Sequence, residues 1–210
     1  MIRVVRPTAL PGFAVTLGVT LTWLSLIVLL PLSSLALRPW ELGIAGVWHS
    51  VTEPRVLAAL RLSFSAAALA AAINVVLGLM TAWVMVRYRF PGRNVVDSLI
   101  DMPLALPTAV AGIALTALLA QNGWIGGLLI PLGIKVAYTP LGILSALIFV
   151  GLPFVVRTVE PVIMDLPLEA EEAAATLGAT RVQTVCRVIL PALGPALLAG
   201  FGAALARGVG

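Results

Sequence analysis

LSFSAAALAAAINVVLGLMTAWVMV, residues 62–86, contains no charged residue over its 25 positions. A helix needs about 20 predominantly apolar residues to cross the hydrocarbon core of a bilayer, and this run is longer. Because lipid offers no hydrogen-bond partners, only helices and closed barrels span it, and the run lacks the period-two alternation of a barrel strand. It therefore predicts a transmembrane α-helix whose one strongly polar side chain is Asn74.

The whole chain has the composition of a membrane protein. Hydrophobic residues make up 60% of its 210 residues and charged residues 10%, with a mean hydropathy of +1.10. Soluble domains carry about 25% charged residues, so a water-soluble fold is excluded. The net charge of +4 comes without a basic cluster interleaved with aromatic residues, so no nucleic-acid partner is expected. The single Cys186 and the single His49 predict neither a disulfide nor a metal site.

Further apolar runs complete an all-α, polytopic topology. Including 62–86, membrane spans are expected at about 12–37, 62–86, 99–119, 136–156 and 192–210. The run 99–119 contains Pro103 and Pro107, so we expect it to be kinked and to face protein rather than lipid. The last run stops at Gly210 with Arg207 near its end, and we expect the chain to be cut short in its C-terminal portion.

The distribution of basic residues favours a cytoplasmic N-terminus. With that orientation, eight arginines lie on the inside and four basic residues on the outside, as the positive-inside rule requires. The inside set is Arg3, Arg6, Arg87, Arg89, Arg93, Arg157, Arg181 and Arg187, and the outside set is Arg38, Arg55, Arg61 and Lys135. The segment 158–191 is then a cytoplasmic loop.

That loop ends in EEAAATLGATRVQTVCRVILP, residues 171–191, which is polar for so apolar a chain. Asp165 is expected to cap a helix that has Pro167 in its first turn. Gly178 can take the left-handed conformation that closes a helix, and Thr180 with Gln183 matches a capping box that starts another. A short surface helix with one face of small residues suits a socket in a soluble partner. A solvated return loop is the alternative that helix chemistry leaves open.

Polar residues within or beside the apolar runs are the other candidates, because they are costly in lipid. Asn74 either lines a pathway or bonds to a neighbouring helix, and Arg207 is expected to face the pathway near the inner end of the last run. Asp97 and Asp101 share one helical face with Arg93. Paired carboxylates can serve acid–base chemistry, but pairing with the neighbouring arginine and the helix dipole is favoured. No histidine or nucleophile accompanies them, so no catalytic residue is predicted.

Residues 172–191 resemble the EAA signature of ABC importer permeases, which is EAAxxxG followed nine residues later by IxLP. The matching residues are Glu172, Ala173, Ala174, Gly178, Leu190 and Pro191. Val188 stands where the pattern prefers isoleucine. Within that family the chain is similar, over essentially its full length, to sulfate/thiosulfate permease subunits of the T type. Segments that carry this likeness are LPGFAVTLG (10–18), RYRFPGR (87–93), DMPLALPTAVAG (101–112), IKVAYTPLGI (134–143) and PFVVRTVEPV (153–162).

The resemblance implies a type I ABC importer transmembrane domain, with about five of its six spans in this chain, in the bacterial inner membrane. It implies import of sulfate or thiosulfate, with molybdate or tungstate as the alternative. The implied partners are cytosolic ATP-binding subunits, a second permease subunit and a periplasmic sulfate-binding protein. The EAA residues would couple the chain to the ATPase, and neutral donors such as Thr108 would join Asn74 and Arg207 along the pathway.

Other classes of function fit the residues less well. The chain has no GxxxxGK[ST] phosphate loop, so no cofactor is expected in it and ATP is expected on a partner subunit. A membrane-embedded enzyme would need convergent catalytic groups, and a passive channel would need no coupling helix.

Overall fold

The computed structural model describes residues 13–210, except for the side chains of Ala14, Ala36, Arg38, Trp40 and Glu41. Arg3, Arg6 and the first position of the predicted run 12–37 lie outside the described residues. Over the described part of the chain every regular element is a helix. The chain divides into one unit that ends at Ala59 and a second unit, Leu60–Gly210.

The first unit contains a long apolar helical stretch. Helix α1 (Phe13–Leu24) continues through a π-helical turn (Ser25–Leu29) into α2 (Leu30–Thr52). The uncharged, leucine-rich part, Val15–Leu35, is long and apolar enough to cross a membrane. The backbone of α2 breaks at Gly43, whose φ of +65° is a left-handed value that glycine adopts without steric cost.

The remaining helices begin with α3 (Pro54–Arg87), which enters the second unit at Leu60. After α3 come α4 (Arg93–Ala105), α5 (Thr108–Leu119), α6 (Gly126–Leu129), α7 (Pro140–Asp165), α8 (Leu168–Thr176), α9 (Arg181–Thr184) and α10 (Leu190–Val209). Of these, α7 and the stretch that ends in α10 are also long. A π-helical turn, Val185–Ile189, joins α9 to α10 without interruption.

Small residues let α3, α7 and α10 pack closely in the second unit. A Cβ at Gly78 on α3 would lie 2.7 Å from the Cγ1 of Val155 on α7, and Gly200 on α10 approaches the same valine. Val155, Ile163 and Leu193 are fully buried in this core. Such close approach is the usual basis of helix association in lipid, where burial of apolar surface gives no advantage.

Among the described residues, four helical stretches are long and apolar enough to span a membrane, or five if α4 and α5 together count as one. They are Val15–Leu35, Pro54–Arg87, Pro140–Asp165 and Arg181–Val209. The predicted all-α, polytopic membrane fold is confirmed.

The predicted run 99–119 differs most from the structure. It is divided between α4 and α5, whose axes are bent by 116°. Leu106 at the break is extended, with φ −85° and ψ 134°, because the residue before a proline is disfavoured in the helical region. Pro107 breaks the run, whereas Pro103 stays inside α4 and is buried.

Helices occupy most of the segment 158–191. Helix α7 continues past residue 156 to Asp165, and a helical stretch begins at Arg181, directly after the predicted capping box, and runs on into α10. The expectation that Asp165 caps the surface helix is wrong. Asp165 ends α7, Leu166 is extended, and Pro167 is the N-cap of α8 without a side-chain cap.

Candidate functional site

The corner between α8 and α9 has the geometry that its residues predict. Gly178 has φ +79° and donates its N–H to the carbonyl of Ala175 at 3.0 Å, and the N–H of Ala179 reaches the carbonyl of Ala174 at 3.0 Å. This pair of bonds is a Schellman motif, which requires the left-handed residue. The Thr180 hydroxyl then accepts from the Gln183 N–H, and the Gln183 side chain accepts from the Thr180 N–H at 2.8 Å. The predicted capping box is confirmed.

Helix α8 presents most of its surface outward. Glu172 and Ala173 are exposed, whereas Ala174 is buried against the chain. Leu177 at the corner is 88% exposed, and Val182 just beyond it is 73% exposed. Among the other EAA-matching residues, Leu190 is half-buried at the start of α10 and Pro191 is exposed. The corner therefore offers a mixed apolar and acidic surface.

Arg87 joins this surface helix to the membrane core. It is the last residue of α3, and its Nη2 donates to Glu171 Oε1 at 2.8 Å and to the Leu166 carbonyl at 3.4 Å. Its guanidinium also lies over the ring of Trp83, 5.1 Å from the centroid. The pair is mostly buried, with side-chain exposures of 16% and 28%. Nothing in the sequence predicts this partner for Glu171, because the two residues are 84 positions apart.

A second ionic cluster joins α4 to α7. Arg157 donates to both carboxylate oxygens of Asp101, at 2.9 and 2.7 Å, and to Asp97 at 2.7 Å. It also donates to Glu160, three residues along α7, at 2.7 Å. The favoured expectation that these carboxylates pair with Arg93 is wrong, because the ion pairs of Asp97 and Asp101 in the described part of the chain are with Arg157. Sequence spacing identifies neighbours on one helix and cannot identify a partner on another.

The three predicted pathway residues lie in different environments. Asn74 is completely buried and donates from Nδ2 to the Leu147 carbonyl on α7 at 3.4 Å. Its Oδ1 has no hydrogen-bond partner among residues 13–210. Thr108 is exposed at the first position of α5, and Arg207 is exposed in the last turn of α10. Asn74 thus contacts a neighbouring helix, and the pathway roles of Asn74, Thr108 and Arg207 stay predictions.

The charged side chains that converge in the described part of the chain are paired with one another. Within residues 13–210, no group of three or more His, Cys, Asp or Glu side chains is placed to hold a metal ion. Arg87 pairs with Glu171 between α3 and α8, and Arg157 pairs with Asp97 and Asp101 between α7 and α4.

Comparison with known proteins assigns the sequence to a family. Residues 74–210 match the model of the binding-protein-dependent transport system inner membrane component. The sulfate transport system permease protein CysT of Escherichia coli K12 is 48% identical over 210 residues, which cover 100% of this chain and 76% of that protein. The protein of the same name from Synechocystis is 44% identical over 192 residues, 91% of this chain and 67% of the relative. A probable sulfate transport system permease protein from Zygnema circumcarinatum is 45% identical over 88% of this chain and 64% of its own length. The chain belongs to the family of inner membrane components of binding-protein-dependent transport systems.

Proposed function

We propose that this chain is the membrane-spanning permease subunit of an ATP-driven sulfate importer. The observation that carries the proposal is the 48% identity, over the whole chain, to a sulfate transport system permease protein. Relatives from a cyanobacterium and an alga bear the same kind of name at 44% and 45% identity. Nothing among these relatives favours the molybdate or tungstate alternative. Thiosulfate, with the same charge and a similar shape, is a further substrate in this proposal.

Import of a dianion requires an energy source. Moving one charge across the membrane potential involves about 2.3 kcal/mol per 100 mV, so a dianion entering a negative interior costs about twice that. A passive path would therefore drain sulfate outward. Since the chain has no phosphate loop of its own, the energy comes from ATP hydrolysed on partner subunits.

The proposed assembly contains two permease subunits, two cytosolic ATP-binding subunits and a periplasmic protein that delivers the anion. This chain lies in the inner membrane with its N-terminus in the cytoplasm, which places α8 and the corner at Gly178 on the cytoplasmic side. Exposed Ala173 and Leu177 contact the ATPase, with Glu172 at the edge of that contact.

The coupling step in this proposal is a rigid-body movement of α8. When the ATPase subunits close, they displace α8, and the Arg87–Glu171 pair passes that displacement to the end of α3. Helix α3 packs on α7 through Gly78 and Val155, so the core helices move with it. The backbone at Gly178 keeps α8 at a fixed angle to α9, and a rigid corner is needed if movement is to be transmitted.

The test replaces Gly178 by valine, with Gly178→Asn as the matched control. A Cβ at this position meets no atom within 4 Å, so any effect comes from the left-handed backbone, which asparagine tolerates far better than a β-branched residue. We expect Gly178→Val to insert into the membrane normally but to lower sulfate uptake at least tenfold more than it lowers ATP hydrolysis. Gly178→Asn should retain most of the uptake.

Uptake is measured with radiolabelled sulfate in cells or proteoliposomes that contain all subunits, with molybdate as competitor. Unchanged uptake by Gly178→Val would contradict the coupling role. Stronger inhibition of this uptake by molybdate than by the same concentration of unlabelled sulfate would contradict the assigned substrate.

A further inference from the structure

Arg157 fixes α4 against α7 through three charge-assisted hydrogen bonds. Its Nε and Nη2 donate to the two carboxylate oxygens of Asp101 at 2.9 and 2.7 Å, and Nη2 also donates to Asp97 at 2.7 Å. Glu160 accepts from Nη1 and so holds the guanidinium in one orientation. A guanidinium that meets both oxygens of one carboxylate fixes direction as well as distance. Because Asp97 and Asp101 lie one turn apart on one face of α4, the arginine fixes the rotation of that helix as well as its position.

The break between α4 and α5 has no comparable bonds. Leu106 is extended, and Pro107 has no N–H to donate. Within residues 13–210, none of the backbone hydrogen bonds joins residues 93–106 to residues 107–119. The angle between the two helices can therefore change by rotation about the backbone of Leu106 without the loss of a hydrogen bond. Hinges between rigid elements usually consist of a few such residues.

Helix α5 is held to α7 less firmly than α4 is. A cleft of about 220 Å³ lies between α5 and α7, with Leu115 and Thr116 of α5 on one wall and Ile143 and Ala146 of α7 on the other. In the described part of the chain no hydrogen bond or ion pair joins these two helices. Side chains that face a cleft lack the dispersion contacts that a packed neighbour would supply. Movement of α5 relative to α7 therefore meets less resistance than movement of α4 relative to α7.

Helix α7 also leads directly to the exposed helix α8. It ends at Asp165, and Leu166 and Pro167 alone separate it from α8. Arg157 lies about 12 Å before that end along the helix axis, at 1.5 Å per residue. A displacement of α8 would therefore reach α7 first and, through Arg157, α4. Separation of α4 from Arg157 would leave two carboxylates without a cation beside lipid, which is costly.

We propose that α4 is a gate arm of the transport pathway and that Arg157 is the positioning residue that makes this arm move with α7. The chain bends at Leu106 and Pro107, so that α4 swings relative to α5. The bend lies next to Thr108, the exposed first residue of α5, and a change of angle there alters access to the predicted pathway. This inference rests on the ATP-driven movement of the proposed function. It does not depend on the transported anion.

The test measures distances between helices in the complete transporter, assembled with its ATP-binding subunits. Spin labels are attached to cysteines in a Cys186→Ser background, at the exposed positions of Val95 on α4, Ile113 on α5 and Met164 on α7. Pulsed electron paramagnetic resonance compares the nucleotide-free complex with the complex trapped by ADP and vanadate. We expect the distance 95–113 to change by about 5 Å, the rise of one helical turn. The distance 95–164 should stay constant within about 2 Å, the size of ordinary helix shifts.

Trapped nucleotide, measured in the same samples, distinguishes a failure of the gate arm from a failure of the proposed function. A trapped complex in which the distance 95–113 is unchanged would overturn the gate arm alone, and so would a change confined to the distance 95–164. Absence of trapping would contradict the ATP-driven function and the gate arm with it.

Substitutions in the cluster test whether Arg157 makes α4 move with α7. In Arg157→Gln the change in the distance 95–113 should be lost. Asp97 and Asp101 are 44% and 47% exposed, so asparagine fits at both positions and gives milder variants. Because Asp101 accepts two of the three bonds, Asp101→Asn should lower sulfate uptake relative to ATP hydrolysis several-fold, and more than Asp97→Asn does. Arg93→Gln, on the same helix, is the control and should leave both the distances and this ratio unchanged. Equal effects of Arg93→Gln and Asp101→Asn would overturn the role of Arg157.

Discussion

At the residue scale, Gly78 sets how closely α3 approaches α7. A Cβ there would lie 2.7 and 2.8 Å from the Cγ1 and Cβ of Val155, which is itself fully buried. Because a valine Cβ cannot rotate away, the helices must separate. Gly78→Ala is expected to lower the free energy of unfolding by about 1–3 kcal/mol, the usual cost of overpacking. Denaturant titration in detergent measures this change.

Gly202→Ala is the control for Gly78→Ala. Gly202 lies on α10, is exposed, and a Cβ there would meet no atom within 4 Å. Alanine stabilises a helix by about 1 kcal/mol relative to glycine, so this variant should be as stable as the original chain or slightly more stable. Equal destabilisation by both variants would contradict the close packing of α3 on α7.

Arg157 is the residue on which the α4–α7 contact depends. Three carboxylates surround its guanidinium, at 2.7–2.9 Å. Arg157→Gln leaves Asp101 and the buried Glu160 without a cation, and we expect it to cost about 1.5–3 kcal/mol of unfolding free energy, the range for hydrogen bonds to charged groups. Arg93→Gln, on the same helix as the aspartates, should lower the free energy of unfolding by less than about 0.5 kcal/mol, the usual effect of a surface substitution. A larger effect of Arg93→Gln than of Arg157→Gln would show that Arg93, not Arg157, is the main partner of the aspartates.

These residues show which features are predictable from sequence. The capping box of Thr180 and Gln183 and the left-handed Gly178 involve atoms a few positions apart, so local chemistry determines them. The pairing of Asp97 and Asp101 with Arg157 joins residues about 60 positions apart. No local sequence rule predicts this pairing, because it depends on how α4 packs on α7.

At the element scale, one ion pair among residues 13–210 joins α8 to the end of α3. Glu171 bonds to Arg87, while its neighbours Glu169 and Glu172 are exposed. If this contact transmits movement, Glu171→Gln should lower sulfate uptake relative to ATP hydrolysis several-fold. Glu169→Gln, two residues away on the same helix, should leave the ratio unchanged.

Exchanging the two charges distinguishes a role in transmitting movement from a role in stability alone. Arg87→Glu with Glu171→Arg restores the attraction, although the stacking on Trp83 is lost. We expect the double variant to recover part of the uptake that each single variant loses, with a coupling free energy of about 0.5–3 kcal/mol in a double-mutant cycle. Strictly additive losses would show that the pair does not act as a unit.

The lengths of the elements were less predictable than their existence. The polar residues Arg157 and Glu160 made α7 look complete near residue 156, yet the helix continues to Asp165 because both charges have partners. Pro107 likewise divides a run that is almost entirely apolar. In both cases hydropathy describes the solvent preference of a segment, whereas hydrogen bonding and proline geometry decide where its helix ends.

At the scale of the whole molecule, the bilayer itself makes the fold class predictable. Backbone groups in lipid must bond within their own segment, so an uncharged run of sufficient length has one solution. The arrangement of α3, α7 and α10 follows instead from small residues such as Gly78 and Gly200, whose contacts are evident only in three dimensions. The orientation of the chain depends on a third property, the distribution of arginines, and this remains a prediction.

Cys186 allows a direct test of that orientation, because it is the only cysteine of the chain and is exposed. A membrane-impermeant maleimide should label it in inverted membrane vesicles but not in spheroplasts. For the opposite side, Trp124→Cys combined with Cys186→Ser places the thiol at an 87% exposed position between α5 and α6. That variant should be labelled in spheroplasts. The reverse pattern would place α8 and Gly178 outside the cell, where no ATP-driven subunit could contact them, and would remove the basis of the coupling mechanism.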